Sequence, residues 1–344
     1  MGAALLHELL LRREELSGIP IQTIYFGGGT PSVLSDSDLE ALLRQVYSLY
    51  PVAADAEITL EANPDDLSPA RIRSLETLGI NRLSIGVQSF FEDDLKLMNR
   101  AHDARQAMAA VGAAADRFAN VTLDLIYGIP GSSQARWREN IERALSFGVP
   151  HISAYALTVE PRTALDAMIR AGRVAAPDEQ HAHEQFSLLR TVLLEHGFIH
   201  YELSNFGKEG FFSRNNTAYW NGDPYLGIGP SAHSYDGSRR SWNVSNNSQY
   251  IQRIGFGLLP SESEILSVTD RYNEMVMTGL RTMWGISLSK VVTQFGPVYH
   301  AHLEKQAARF IENGLLEQTN GSLRATSSGL FLTDGIASAL FYVE

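Results

Sequence analysis

Apolar positions along the first 200 residues follow two alternating rhythms. IQTIYF (21–26), AEITLEANP (56–64), NRLSIGVQSF (81–90), NVTLDLIYGIPG (120–131), HISAYALTVEP (151–161) and FIHYELSNF (198–206) are short apolar or alternating runs ending in Gly, Pro or polar residues. These read as strands. Between them apolar residues recur every three or four positions: Leu39, Leu42, Leu43, Val46 and Leu49; Ile72, Leu75 and Leu78; Trp137, Ile141 and Leu145; Phe186, Leu189 and Leu193. These are helix faces. Residues 3–16 read as an opening amphipathic helix that stops near Ser17 and Gly18. Ser37-x-x-Glu40 reads as a capping box, and Ser68 with Pro69 as a helix start. Short helices are expected near 91–98 and 103–117, and a longer one from about Asp178 to His196.

Six alternations of strand and helix predict βαβ units on a parallel sheet, either an open sheet or a complete or partial barrel. In both cases ligands sit at the carboxyl ends of the strands. Gly27 to Thr30, Glu61, Gln88, Asp124 and Tyr155 fall there. The first of these ends, Gly27-Gly28-Gly29-Thr30-Pro31-Ser32, predicts a tight turn whose backbone can lie bare against a ligand.

The pattern changes after Phe206. Residues 207–260 are rich in Asn, Gly, Tyr and Trp and show no period, so an irregular and functional segment is expected. From Asp270 the chain reads as helical, with Met275, Leu280 and Met283. A second helix follows over about 298–313, then a hairpin turning at Asn320-Gly321. Helices followed by a small hairpin suggest a winged-helix-like module.

Composition narrows the functions. The 344 residues, 44% hydrophobic, suffice for a large core. A net charge of −11 argues against nucleic acid as a partner. No run approaches a membrane span and no signal peptide is evident, so a cytoplasmic protein that is not itself a membrane protein is expected. The chain contains no cysteine, which excludes thiolate metal sites formed from its own residues.

Four side chains carry candidate chemistry. Asp124 stands inside an apolar strand and needs a partner or a ligand. Glu61 can receive an amine or cap a turn. Gln88 can bond a hydroxyl or amide. Arg100 can grip a carboxylate as a fork or form a surface ion pair. Together with bare amides they fit a zwitterionic amino acid joined to a nucleoside.

The ordered motifs GGGTPS (27–32), LEANP (60–64), RLSIGVQSF (82–90), MNRAH (98–102) and DLIYGIPG (124–131) resemble radical S-adenosylmethionine (SAM) enzymes of the oxygen-independent coproporphyrinogen III oxidase family. Spacing is closest to its heme-chaperone, HemW-like branch. YELSNF (201–206), NNTAYW (215–220), YLGIGPSAHSY (225–235) and YNEMVMTGLRT (272–282) extend the resemblance over nearly the whole chain. It implies an incomplete six-unit (β/α) barrel over 1–206 that binds SAM. A segment with a heme motif over 207–260 and the family's helical C-terminal module over 261–344 would follow. It further implies SAM held by Gly28, Gly29 and Thr30, with Glu61, Gln88, Arg100 and Asp124 holding its amine, carboxylate and ribose. It implies heme as a bound ligand, handed to respiratory proteins at the membrane, and a [4Fe–4S] cluster on a cysteine loop after the first barrel strand.

The sequence departs from that family twice. The cysteine loop is missing, so the chain is expected to be a truncated form that lacks the first barrel strand and is inactive in radical chemistry; the alternative is a cluster-free binding protein. Truncation would expose a sheet edge, with lower stability and a tendency to aggregate. A truncated coproporphyrinogen III oxidase is the remaining alternative. Secondly, the family's heme motif opens with histidine, whereas here the run is Asn215-Asn216-Thr217-Ala218-Tyr219-Trp220. An asparagine is a poor iron ligand beside an imidazole. His233, His102 and His200 are the other candidates for heme ligation.

Overall fold

A computed structural model describes residues 1–16 and 18–343. In chain order the elements begin with α1 (Gly2–Leu11), β1 (Ile21–Phe26), α2 (Asp36–Leu49), β2 (Val52–Ala62), α3 (Pro69–Thr77), β3 (Arg82–Gln88), α4 (Glu92–Leu97) and α5 (Ala104–Ala115). They continue with β4 (Val121–Tyr127), α6 (Gln134–Ser146), β5 (His151–Ala156), α7 (Ala164–Arg170), α8 (Glu179–Glu195), β6 (Ile199–Glu202), β7 (Asn205–Gly207) and α9 (Arg214–Asn221). The remainder is β8 (His233–Tyr235), β9 (Arg239–Asn243), α10 (Asn247–Gly255), β10 (Ser261–Ile265), α11 (Val268–Leu280), β11 (Ile286–Ser287), α12 (Leu288–Phe295), α13 (Pro297–Glu312), β12 (Leu316–Thr319), β13 (Ser322–Ala325) and α14 (Thr333–Leu340).

The chain forms two compact units. One contains Thr23–Asp36 and Glu57–Ser213; the other contains Met1–Gln22, Ser37–Ala56 and Arg214–Glu344. The main sheet is a curled, open half-barrel with strand order β1-β2-β3-β4-β5-β7-β6. From β2 to β5 neighbouring strands are parallel. Leu83, Ile85, Leu123, Leu125 and Ile152 are fully buried, as are Ile72 and Leu75 of α3, Val111 and Ala114 of α5, Ile141 of α6 and Leu189 of α8. This is the two-sided burial that parallel strands require. Ser68 caps α3 by accepting from Arg71 N–H, as its sequence predicts.

Three local expectations are corrected. The opening helix ends at Leu11, where the backbone of Arg12 leaves helical geometry with φ of −102° and ψ of 11°, and its guanidinium bonds Glu15, Gly227 O and Ser234 Oγ. The expected stop at Ser17 lies outside the described residues. Helix α2 begins at Asp36, so Ser37 lies inside its first turn; Asp36 is held by Arg71 and Ser74. The sixth strand is two short strands. The Glu202 carboxylate accepts from Ser204 N–H and Asn205 Nδ2, which folds the chain back so that β7 pairs antiparallel with both β5 and β6.

Residues 207–260 are more regular than their composition suggests. They supply α9, α10, β8 and β9, and with β10 just beyond them these strands form an antiparallel sheet of order β10-β9-β8. Its strands are only three to five residues long, too short for a visible period. Pairing of His233 with Trp242 and of Tyr235 with Arg240 places those four on one face and Ser234, Ser241 and Asn243 on the other. At the chain end, α11 to α14 surround a core of Tyr272, Val276, Leu280, Val291, Leu303 and Ile336. The hairpin turns at Asn320 and Gly321, with φ of 52° and 74°, as a type I′ turn demands. Among the described residues no helix is long and apolar enough to cross a membrane.

One buried carboxylate ties α1 to the antiparallel sheet. Glu8 is fully buried and accepts from Gly229 N–H at 2.8 Å, Tyr250 OH at 2.5 Å and Asn243 Nδ2 at 2.7 Å. Arg12 stands 3.4 Å away. Glu8→Ala strands these donors together with a buried guanidinium. It is expected to cost about 3–5 kcal/mol in urea unfolding, and Glu8→Gln clearly less; equal losses would contradict this account.

Candidate functional site

In the unit built on β2 to β5, parallel register sets the site. Glu61 lies beside Ser84, and Asp124 beside Ser153. Ser84 Oγ reaches both Asp124 oxygens at 3.3 Å. Tyr25 OH donates to Glu61 Oε1 at 2.6 Å, and Gly28 N–H donates to Glu61 Oε2 at 3.1 Å. The glycine turn is thus fastened to β2 through one carboxylate. Gly28 and Gly29 have φ of 73° and 67°, a conformation that L side chains avoid. A Cβ on Gly27 would lie 3.1 Å from the Glu61 carboxyl carbon and would run into the Tyr25 ring. Thr30 follows with φ of −141° and ψ of 81° and leads into the short turn at Pro31–Val33.

Gln88 closes β3 with φ of 67°, strained for a side chain of this kind. The ladder to β4 shifts register between Ile85 and Gln88. Gly86 sits beneath: an added Cβ would come within 3.0 Å of Gln88 Nε2 and 3.3 Å of the Arg100 guanidinium. Arg100 is fixed by bonds from Nη2 to Asn63 Oδ1 at 2.8 Å and Gly86 O at 3.4 Å. Gln88 and Arg100 therefore share the space that the missing side chain leaves.

Electrostatics bear on the Asp124 carboxyl. Burial and the neighbouring Glu61 push the Asp124 carboxyl up to about 7, against the opposing hydrogen bonds of Ser153 and Ser84 and the charge of Arg82. The Tyr25 hydroxyl is raised by burial, then by Glu61, and Tyr155 by burial, then by Asp124. Two facing acids, one half-protonated near neutrality, can accept ammonium and hydroxyl donors; a fixed guanidinium can accept a carboxylate. The structure thus brings together Gly27, Gly28, Glu61, Asp124 and Tyr155, and separately joins Gln88 to Arg100 over Gly86. Sequence reasoning passed over Tyr25, Ser84 and Gly86. Gly86 carried a usable signal, a glycine within a strand.

The other unit carries the NNTAYW run on α9. Asn215 and Asn216 lie in its first turn, with Tyr219 and Trp220 one turn on. The Tyr219 ring meets Tyr225 edge-on at 4.4 Å, and Tyr225 lies 6.3 Å from Tyr235. Of the three histidines weighed as heme ligands, two are structural. His102 is buried, with Nε2 3.1 Å from Val87 O, beside the strained Gln88. His200 stacks on Phe206 at 4.2 Å with Nε2 on Leu203 O, and burial pushes it down to about 4. His233 is exposed.

A [4Fe–4S] cluster does not fit the residues present. The chain has no cysteine, and among the described residues no group of three His, Asp or Glu could hold a metal ion.

Residues 5–158 match the radical SAM superfamily and residues 266–332 the HemN C-terminal domain. The chain is 35% identical over 339 residues to the heme chaperone HemW of Mycobacterium tuberculosis, covering 98% of this chain and 85% of that protein. It is 31% identical over 322 residues to HemW of Bacillus subtilis, covering 93% and 85%. Radical S-adenosyl methionine domain-containing protein 1, mitochondrial, of Bos taurus is 33% identical over 342 residues, covering 94% and 77%. Coproporphyrinogen III oxidase (HemN) of Escherichia coli shares the fold, with a TM-score of 0.84 over 98% of this chain and 82% of that one at 22% identity. With this relatedness along almost its whole length, the chain belongs to the HemW-like radical SAM proteins.

Proposed function

We propose that the protein binds SAM at the strand ends of its half-barrel, binds heme, and delivers heme to acceptor proteins, respiratory proteins at the membrane among them. In this reading residues 1–206 carry SAM binding, 207–260 the heme motif and 261–344 the C-terminal module. The observation that carries the SAM assignment is the convergence of the Gly27–Thr30 turn, Glu61 and Asp124. Gly28, Gly29 and Thr30 cradle the methionyl part, while Glu61, Gln88, Arg100 and Asp124 hold amine, carboxylate and ribose. Heme as the cargo is supported by the heme-chaperone relatives and by Tyr219 and Trp220 on α9. Those relatives favour this reading over porphyrinogen oxidation.

Calorimetric titration with SAM tests the site. Arg100→Ala and Glu61→Gln are each expected to weaken binding by roughly tenfold or more, about 1.4 kcal/mol. Wild-type affinity in either variant would remove these residues from the site. Gly86→Ala is expected to weaken SAM binding by displacing Gln88 and Arg100 while leaving the thermal midpoint nearly unchanged.

Asp124 makes binding depend on pH. Its carboxyl titrates near 7 in the fold, against an ordinary value of 3.8. SAM carries cationic ammonium and sulfonium groups that favour the carboxylate form. Affinity is therefore expected to rise as pH passes upward through about 7, and Asp124→Asn to flatten that rise. Without ligand the sign reverses. The folded state holds a proton that the unfolded state has released, so stability falls as pH rises from about 4 through 7. Asp124→Asn is expected to remove that fall in denaturant titrations.

With dithionite and SAM, this chain is expected to release no 5′-deoxyadenosine detectable by chromatography, because it offers no thiolates for an electron-donating cluster. Multiple turnovers would overturn this expectation.

A further inference from the structure

We propose that His233 is the axial ligand through which this protein binds heme iron, on an aromatic face formed by Trp242, Tyr235, Tyr225 and Tyr219. The inference rests on the heme-binding reading above and assigns its ligand. It begins from a gap: the run over 215–220 opens with asparagine and so offers no imidazole.

The antiparallel sheet supplies one. His233 and Trp242 are cross-strand partners, and their rings lie 6.2 Å apart. Tyr235, two residues on, points to the same face, and Tyr225 continues the aromatic surface through the bridge Tyr225–Tyr235. Tyr219 of α9 closes it, half-exposed and edge-on to Tyr225. This is a partly wet surface of tilted and edge-on aromatic rings with one exposed imidazole, which suits a planar macrocycle whose metal seeks nitrogen.

The His233 backbone is held rigidly. Tyr225 and Tyr235 exchange two backbone hydrogen bonds of 2.9 Å, and Gly227 N–H donates to Ser234 Oγ at 3.0 Å. Any side chain on Gly227 would collide with the His233 carbonyl. The opposite sheet face is anchored by Arg12 on Ser234 and Glu8 on Asn243. A ligand presented on such a frame loses little freedom when it binds iron. Glu262 and Glu264 on β10 lie on the same face, across from Trp242 and Arg240. Arg240, on the same face, pairs with Glu264 at 3.3 Å and also with Glu274.

Ferric heme titration followed by absorption and electron paramagnetic resonance tests the assignment. Wild type is expected to show the spectrum of imidazole-ligated heme. His233→Ala and His233→Gln should lose that spectrum and bind at least about tenfold more weakly, with free imidazole restoring it to His233→Ala. Both variants should keep wild-type circular dichroism and SAM affinity, since the side chain is exposed. Retention of the imidazole spectrum in both variants would overturn the assignment while leaving heme binding in place. Failure of the wild-type chain to bind heme would instead overturn the heme reading, and the assignment with it.

Discussion

Parallel pairing of β2, β3, β4 and β5 is the constraint from which the site follows. Parallel strands joined by helices all finish at the same end, so each contributes its last residues to one rim. The register then decides who meets whom. Glu61 is level with Ser84, and Asp124 with Ser153. A slip of one residue would turn Asp124 into the packed helix layer and replace it with Leu123 or Leu125. Those leucines are fully buried, so the hydrophobic core enforces the geometry of the polar rim.

Two carboxylates removed from water show how differently such groups are treated. Glu8 receives three close donors and an adjacent guanidinium, and serves as a rivet. Asp124 is bonded by Ser153 and by Ser84 at 3.3 Å, but burial and a second acid outweigh them, so its proton is held more tightly. The first is arranged for the folded chain alone. The second is set among groups that raise its pKa, a pattern that structural and functional carboxylates both show.

Much of this was legible in the sequence. The alternation of rhythms gave the strands and main helices, and strand ends gave the rim. Gly28, Glu61 and Asp124 could be selected because a polar residue or glycine at an apolar strand's end is informative. What escaped had weaker local signals. Tyr25 reads as another strand residue, although it bonds Glu61. The break after Glu202 depends on its carboxylate turning back on Ser204 and Asn205, which no periodicity records. Strands of three to five residues between 233 and 265 are too short to show alternation. The roles of His102 and His200 depended on burial and on carbonyls that a one-dimensional reading cannot locate.

The buried carboxylate on α1 also has a consequence for synthesis. Glu8 and Asn243 are 235 residues apart in the chain. At about 5–20 residues per second, roughly 10–50 s pass between the emergence of the acid and that of its partner. Meanwhile the intervening strands can pair, whereas α1 has no tertiary partner for its acidic side chain. Completion of that unit therefore awaits late translation, and a ribosome stalled before residue 229 would hold a nascent chain whose first helix, although Tyr50 can reach Leu9 O, has no donors for its buried acid.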